Sequence, residues 1–455
     1  MSYDFVIKNG RLVTAETTFV ADVAIRDEQI QAIGVGLRGE REMDATGLYV
    51  LPGAIDGHVH LTDENSASVR TADSFVTGSQ AAAFGGVTTL IDFAESQPDL
   101  SLVAALQQRQ EDADGRTAID YSLHLNLRDP DPARLDEISA VFQQGVPSFK
   151  FFMAWEAYRL PDVALFRAME AVAAHNGLAV IHAENEDVIQ ELQQRFARKG
   201  LTGPRWHTTV CPPVTESEAI HRALAYARLA GARVLIYHVS SQDGVREITR
   251  AKQLGQVVYG EACVQYLVYT DDVYQADDWS AEAMMIRPPI RDATHQQALW
   301  YGLADGNLDI ISTDHNPRPR RPAGQHQPPG IAGIETRLAL VHTFGVRRGR
   351  LSLERWVELC CTRPAHVFGL SRKGRVAPGY DADIVLFDPT KEVTFSPQTL
   401  HSAVDYSSYD GITVTGFPVV TISRGTILVE NGAFIGPGGG GRFVARSYDD
   451  RNNDL

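Results

Sequence analysis

From about residue 50 to residue 311, short apolar, β-branched runs alternate with longer stretches whose apolar positions recur at helical spacing. The runs fall at 50–55, 87–93, 119–125, 148–153, 178–181, 234–239, 257–259 and 308–311. Amphipathic stretches such as 102–112, 162–174 and 216–229 lie between them. Uninterrupted apolar strands separated by helices predict parallel βαβ units, because a parallel strand is covered on both faces. The eight runs predict a (β/α)8 TIM-like barrel with insertions, in the α/β class. An open doubly wound sheet satisfies the same pattern.

The two ends read differently. Residues 3–49 alternate at period two, predicting strands over 4–7, 12–14, 20–25 and 30–33, with a turn at Asn9-Gly10. Residues 374–440 resume that texture, with strands over 382–387 and 419–429. Together the ends predict one small composite β-sandwich: residues 1–49 as its first half, the barrel over 50–373, and 374–440 as its second half. A tail follows over 441–455. The glycine run at 436–441 predicts a flexible or turn-forming segment.

Composition narrows the function classes. The 455 residues carry 42 Lys+Arg against 57 Asp+Glu, a net charge of −15, whereas non-specific nucleic-acid binding needs clustered cations. No apolar run approaches the roughly 18 residues of a membrane span, and the first residues lack the basic-then-apolar pattern of a secretory leader. The four cysteines, Cys211, Cys263, Cys360 and Cys361, form no CxxC pair. Reduced thiols in a cytoplasmic enzyme are expected.

Barrel active sites sit at the C-terminal ends of strands. There the chain places His58 and His60, which face the same side of a strand at i and i+2. Lys150 interrupts an apolar run, and His182, His238 and Asp314 close three later ones. Singly, each has an ordinary reading: a hydrogen-bonded core histidine, a salt-bridged lysine, a helix-capping aspartate. Their coincidence at one mouth favours a metal site. Imidazole and carboxylate suit Zn²⁺, and also Mn²⁺, Co²⁺ or Fe²⁺. Lys150 is informative, because a buried amine beside cations is held neutral and can add CO2 to give a carbamate.

The stretch Pro52-Gly53-Ala54-Ile55-Asp56-Gly57-His58-Val59-His60 resembles the signature of the amidohydrolase superfamily. The segments around Lys150, His182-Ala183-Glu184-Asn185, His238-Val239-Ser240-Ser241 and Thr313-Asp314-His315 continue the resemblance in order. It is closest to the hydantoinase/dihydropyrimidinase family. Asp405-Tyr406-Ser407-Ser408-Tyr409-Asp410-Gly411 and Gly440-Gly441-Arg442-Phe443-Val444 carry that likeness, whereas Gly330-Ile331-Ala332-Gly333-Ile334-Glu335 looks more like allantoinases. The resemblance implies two metal ions, one held by His58, His60 and Asp314, the other by His182 and His238. Carboxylated Lys150 would bridge them. It implies hydrolysis of a cyclic amide, a hydantoin or dihydropyrimidine, to an N-carbamoyl amino acid. Asp314 would act as general base and then acid. Allantoin hydrolysis is the alternative. A metal-free scaffold protein is a further one, disfavoured because all six ligand positions are present. A homotetramer is implied, with the tail reaching a neighbour.

Some positions depart from the family pattern. Trp155 stands where a tyrosine commonly assists the oxyanion, with Tyr158 as a possible substitute. Arg287 and Pro329 replace a common serine and asparagine near the substrate. Loops at 61–73, 93–100 and 153–162 are expected to set the substituent preference. The aromatic residues of the last suggest an apolar arm. His124 and His315 are expected to be structural or to support the ligands.

Overall fold

The computed structural model describes residues 3–62, 70–128, 131–276, 278–322, 325 and 327–448. Most of the loop expected at 61–73 therefore lies outside the described residues.

Eight strands form the barrel sheet: β6 (Ala54–Asp56), β7 (Val87–Glu95), β8 (Asp120–Asn126), β9 (Ser148–Phe152), β10 (Leu178–His182), β11 (Arg233–Ile236), β12 (Val258–Cys263) and β13 (Ile310–Ser312). They pair in that order, all parallel. The ring closes beyond the first and last strands, through a parallel bridge between Val59 and His315 and the His60 N–H on the His315 carbonyl (2.8 Å). The open-sheet alternative is thus excluded. Every residue of β6 and of β8 to β10 is buried. β10 reads as an apolar run for that reason, whereas β8 carries Asp120, Ser122, His124 and Asn126 at alternate positions.

The first predicted strand is in fact two. β5 (Tyr49–Pro52) belongs to the other sheet and β6 to the barrel. The chain passes between them at Gly53, where a Cβ would lie 2.0 Å from Thr88 Oγ1. Only glycine fits that crossing.

The second sheet joins both ends of the chain. It contains β1 (Tyr3–Val13), β2 (Thr18–Arg26), β3 (Gln29–Gly34), β4 (Gly39–Asp44) and β5, with β14 (Ile384–Thr394), β15 (Thr413–Ser423), β16 (Thr426–Glu430) and β17 (Ala433–Phe434). β5 pairs with β14 and so stitches the halves together. The nine strands are one continuous sheet that curls over its own core, which includes Ile7, Val23, Ile384 and Ile422. The turn expected at Asn9-Gly10 is a bulge inside β1, with Asn9 at φ 59°.

The described part of the tail is held by backbone and side-chain bonds. The Gly441 N–H bonds the Thr117 carbonyl, and Arg442 and Val444 pair with Tyr121. Arg446 is buried and donates to Ser122 Oγ (2.8 Å), Ser148 Oγ (2.7 Å) and the Phe368 carbonyl (3.2 Å), and to the Leu123 carbonyl. Residues 441–448 thus pack on this chain's own barrel, and the glycine run before them is turn-forming, with a turn at 438–439. Between sheet and barrel lies an ionic cluster. Lys373 Nζ reaches Asp120 (2.6 Å), Asp383 (2.7 Å) and Asp381 (3.0 Å).

Candidate active site

The six residues expected as metal ligands line one cavity of about 230 Å³ at the C-terminal end of the barrel. His58 and His60 follow β6, Lys150 points inward from the middle of β9, His182 ends β10, and His238 and Asp314 follow β11 and β13. His58 Nε2 and His60 Nε2 each lie 3.2 Å from Asp314 Oδ1, so three donor groups face one point. The rings of His182 and His238 meet edge to face with centroids 4.4 Å apart. His58 and His238 lie 5.6 Å apart, which makes the two sets neighbours.

Backbone strain accompanies this convergence. His238 sits at φ 40°, Asp314 at φ 51° and Trp155 at φ 57°. Left-handed backbone at residues with side chains costs energy and collects where function demands an orientation.

Three of these histidines are aimed from behind. His58 Nδ1 lies 3.0 Å from Glu261 Oε2, and the same carboxylate oxygen accepts the His238 N–H at 2.8 Å. Tyr237 stacks on His58 at 3.8 Å and donates its hydroxyl to the Gly57 carbonyl (2.8 Å). His182 Nε2 lies 2.8 Å from Glu184 Oε2. Asp56 accepts from Thr313 Oγ1 (2.7 Å), tying the first strand to the last. Partners of this kind fix the ring orientation of ligating imidazoles.

The electrostatics follow from burial. Desolvation holds the imidazoles of His58 and His238 well below the ordinary histidine range, and lowers His182. Desolvation would raise the Asp314 carboxyl, but His58, His60 and Lys150 around it prevail and bring it to about 2. An imidazole that is neutral through burial cannot also be the cation that lowers Asp314. The state consistent with the geometry is neutral imidazoles beside an ionised carboxylate, which is a set of electron-pair donors. Burial likewise pulls the Lys150 ammonium down, against the attraction of Asp314 and Glu261. The residues fit a metal ion in a further way. His238 Nδ1 is buried and has no hydrogen-bond partner among the described residues, an orphan that a cation would satisfy.

The expected substrate-contacting residues all border the cavity. Trp155 packs over His182 at 4.3 Å, and its backbone N–H bonds Glu186. Tyr158 lies under the Arg128 guanidinium at 3.9 Å. Arg287 is held by Glu184 (3.2 Å) and Glu186 (2.9 Å), with its guanidinium 5.3 Å from the Trp155 ring. Pro329 completes one edge. His315 bonds Asp73 (3.1 Å) and accepts the Gly333 N–H, and His124 bonds Ser148 (2.6 Å) and Tyr237 (3.0 Å). Both are supports, as anticipated.

Sequence reasoning missed Glu261. The seventh strand was expected to stop at residue 259, but β12 runs on to Cys263, with Tyr259, Glu261 and Cys263 at alternate positions. A carboxylate in an otherwise apolar run was the available signal. Also not singled out were Glu95, which ends β7 inside the loop region expected at 93–100, Asn126, which ends β8, and Arg128 just beyond it; all three line the cavity.

The chain matches the sequence profile of the Amidohydrolase family over residues 49–428. It is 37% identical to a D-hydantoinase of Ralstonia pickettii, covering 97% of this chain and 99% of that one. It is 38% identical to a D-hydantoinase of Streptomyces coelicolor, covering 98% and 99%. The crystal structure of a dihydropyrimidinase from Brevibacillus agri is 39% identical and superposes with a TM-score of 0.94, covering 97% of this chain and 98% of that one. Sequence and fold converge over nearly the whole length on one assignment: this protein is a member of the amidohydrolase family and, within it, of the hydantoinases.

Proposed function

We propose that this protein hydrolyses the ring amide of hydantoins and dihydropyrimidines, giving N-carbamoyl amino acids. The observation that carries the reading is the delivery of four histidines, one lysine and one aspartate from five barrel strands and the turns that follow them into a single cavity. His58, His60 and Asp314 would hold one divalent ion, and His182 and His238 a second. Lys150, carboxylated by CO2, would serve both. Imidazole-rich ligation suits zinc, with manganese, cobalt or iron as substitutes. When bound, such a pair supplies Lewis acidity and a water acidified at neutral pH.

The chain's own residues do the rest. Asp314, ionised and beside the reacting centre, takes the proton of the attacking water and returns it to the departing ring nitrogen. Glu261 and Glu184 fix the imidazoles, so little reorganisation accompanies the charge shift. Trp155 and Phe152 wall the ring and exclude water. All four cysteines are buried free thiols, and among the described residues no helix is long and apolar enough to cross a membrane. A cytoplasmic enzyme accords with both. We place it as a homotetramer, which sedimentation would report as one species near four times 49.9 kDa.

The test is turnover of hydantoin and dihydrouracil by metal-loaded protein, with the ring-opened product identified by mass. Lys150→Ala should lose metal and activity together. A metal-loaded wild type that opens neither ring overturns the reading.

A further inference from the structure

One wall of the cavity is charged, which the aromatic loop over 153–162 did not suggest. Glu95, Asn126 and Lys150 are register partners on β7, β8 and β9, so they form one row across the barrel wall. Strands lie about 4.8 Å apart, which puts Glu95 roughly 9–10 Å from the metal-ligand end of that row. Glu95 pairs with Arg128 at 2.5 Å and accepts both Asn126 Nδ2 contacts, at 3.0 and 2.9 Å. These contacts fix the Asn126 amide, since the reverse orientation would set its oxygen against the carboxylate. Asn126 lines the cavity, and its Oδ1 is buried with no hydrogen-bond partner among the described residues.

We propose that this wall makes the enzyme specific for hydantoins whose 5-position carries a short neutral arm with a carbonyl flanked by N–H groups, a carboxamide or a ureido group. The inference rests on the ring hydrolysis proposed above and names the substituent. A ring held beside Lys150 directs its arm along the row. The arm's carbonyl accepts from Arg128, and its N–H groups donate to Glu95 and to the orphaned Asn126 Oδ1. A phenyl arm would cover an ion pair and leave that acceptor unsatisfied. A carboxylate arm meets Glu95 and an ammonium arm meets Arg128, each at a cost in like charge. The cavity of about 230 Å³ also suits a short arm.

The experiment is a panel on metal-loaded wild type: hydantoin, allantoin, 5-carbamoylmethyl-, 5-carboxymethyl- and 5-phenylhydantoin, read as kcat/KM. Allantoin or the carbamoylmethyl compound should exceed the phenyl and carboxymethyl compounds by about 10-fold or more, and the better of the two identifies the arm. In Glu95→Leu/Arg128→Leu, the ratio of amide-arm to phenyl substrate should fall about 100-fold, which reverses the preference. A wild type that prefers the phenyl compound overturns the proposal, as does a variant with an unchanged ratio. Turnover of hydantoin with no arm preference sinks this inference alone. Failure with every ring sinks the hydrolase reading as well. The wild-type panel stands whether or not the variant folds.

Discussion

Replacing Lys373 with methionine should strand a buried carboxylate between the barrel and the composite sheet. Lys373 is 3% exposed and its ammonium meets Asp120, Asp381 and Asp383. The three partners would not suffer equally. Asp120 keeps the Arg424 guanidinium and the Arg442 N–H (2.9 Å), and Asp381 keeps Arg372 at 3.4 Å. Asp383, also 3% exposed, keeps the Arg424 N–H (2.8 Å) but no cation. The perturbation reduces to one uncompensated buried charge, about 3–5 kcal/mol.

The pH dependence has a definite sign. Desolvation opposes the charge on Lys373, but the three carboxylates prevail and raise it above the ordinary lysine range. Its contribution in the wild type is therefore complete at neutral pH and is lost only as pH rises through that elevated value. In the variant the Asp383 carboxyl, already raised by desolvation, loses its cation and rises further. A group raised in the folded state stabilises below its unfolded value and loses that contribution as pH climbs through the folded one. The deficit should thus be full at pH 7 and shrink toward pH 5. Urea unfolding followed by circular dichroism at both values measures it. A deficit under about 1 kcal/mol at pH 7, or one identical at pH 5, refutes the reasoning. Adding Asp383→Asn should recover most of the loss.

Other substitutions probe separate features. Arg446→Met strands the Leu123 and Phe368 carbonyls at about 1–3 kcal/mol each, so the urea midpoint should drop clearly; a midpoint equal to wild type would make the buried guanidinium dispensable. Gly53→Ala forces a methyl onto Thr88 Oγ1 and should cost about 1–3 kcal/mol, with Thr88→Ala as its suppressor in thermal melts. Trp155→Phe should raise KM for hydantoin while leaving kcat within about threefold, because the indole walls the ring. A fall confined to kcat would instead give the indole N–H a role in the chemistry.

The barrel was legible because buried strands such as β10 (Leu178–His182) are apolar over most of their length and alternate with stretches of helical spacing. The convergence of His58, His60, His182, His238 and Asp314 on one cavity was legible because polar residues ending such strands have no solvent to face. What escaped depends on partners distant in sequence. Residues 49–56 look like one strand, and only the pairing of Tyr49–Pro52 with β14 reveals the change of sheet at Gly53. Asn9-Gly10 has the letters of a turn but continues into a bulge, because Ala21 and Val20 wait on β2 to pair with Gly10 and Arg11. Glu261 ended the expected strand by its polarity, although its carboxyl oxygen is what the His58 ring and the His238 N–H bond. The glycines over 436–441 left open a flexible or a turn-forming segment; the turn is what forms, because Thr117 and Tyr121, more than three hundred residues earlier, hold the segment that follows.

The sheet shared between the two ends also sets a schedule for synthesis. β5 leaves the ribosome with its neighbour β14 still more than three hundred residues away. At about 5–20 residues per second, that interval is roughly 15–70 s. Throughout it, Tyr49–Pro52 presents an unpaired edge and the faces of Ile7 and Val23 lack their cover. The barrel strands can pair meanwhile, but Arg446 reaches their underside only when the last residues emerge. Expression yield should therefore respond to chaperone supply and translation rate more than the stability of the finished molecule would suggest.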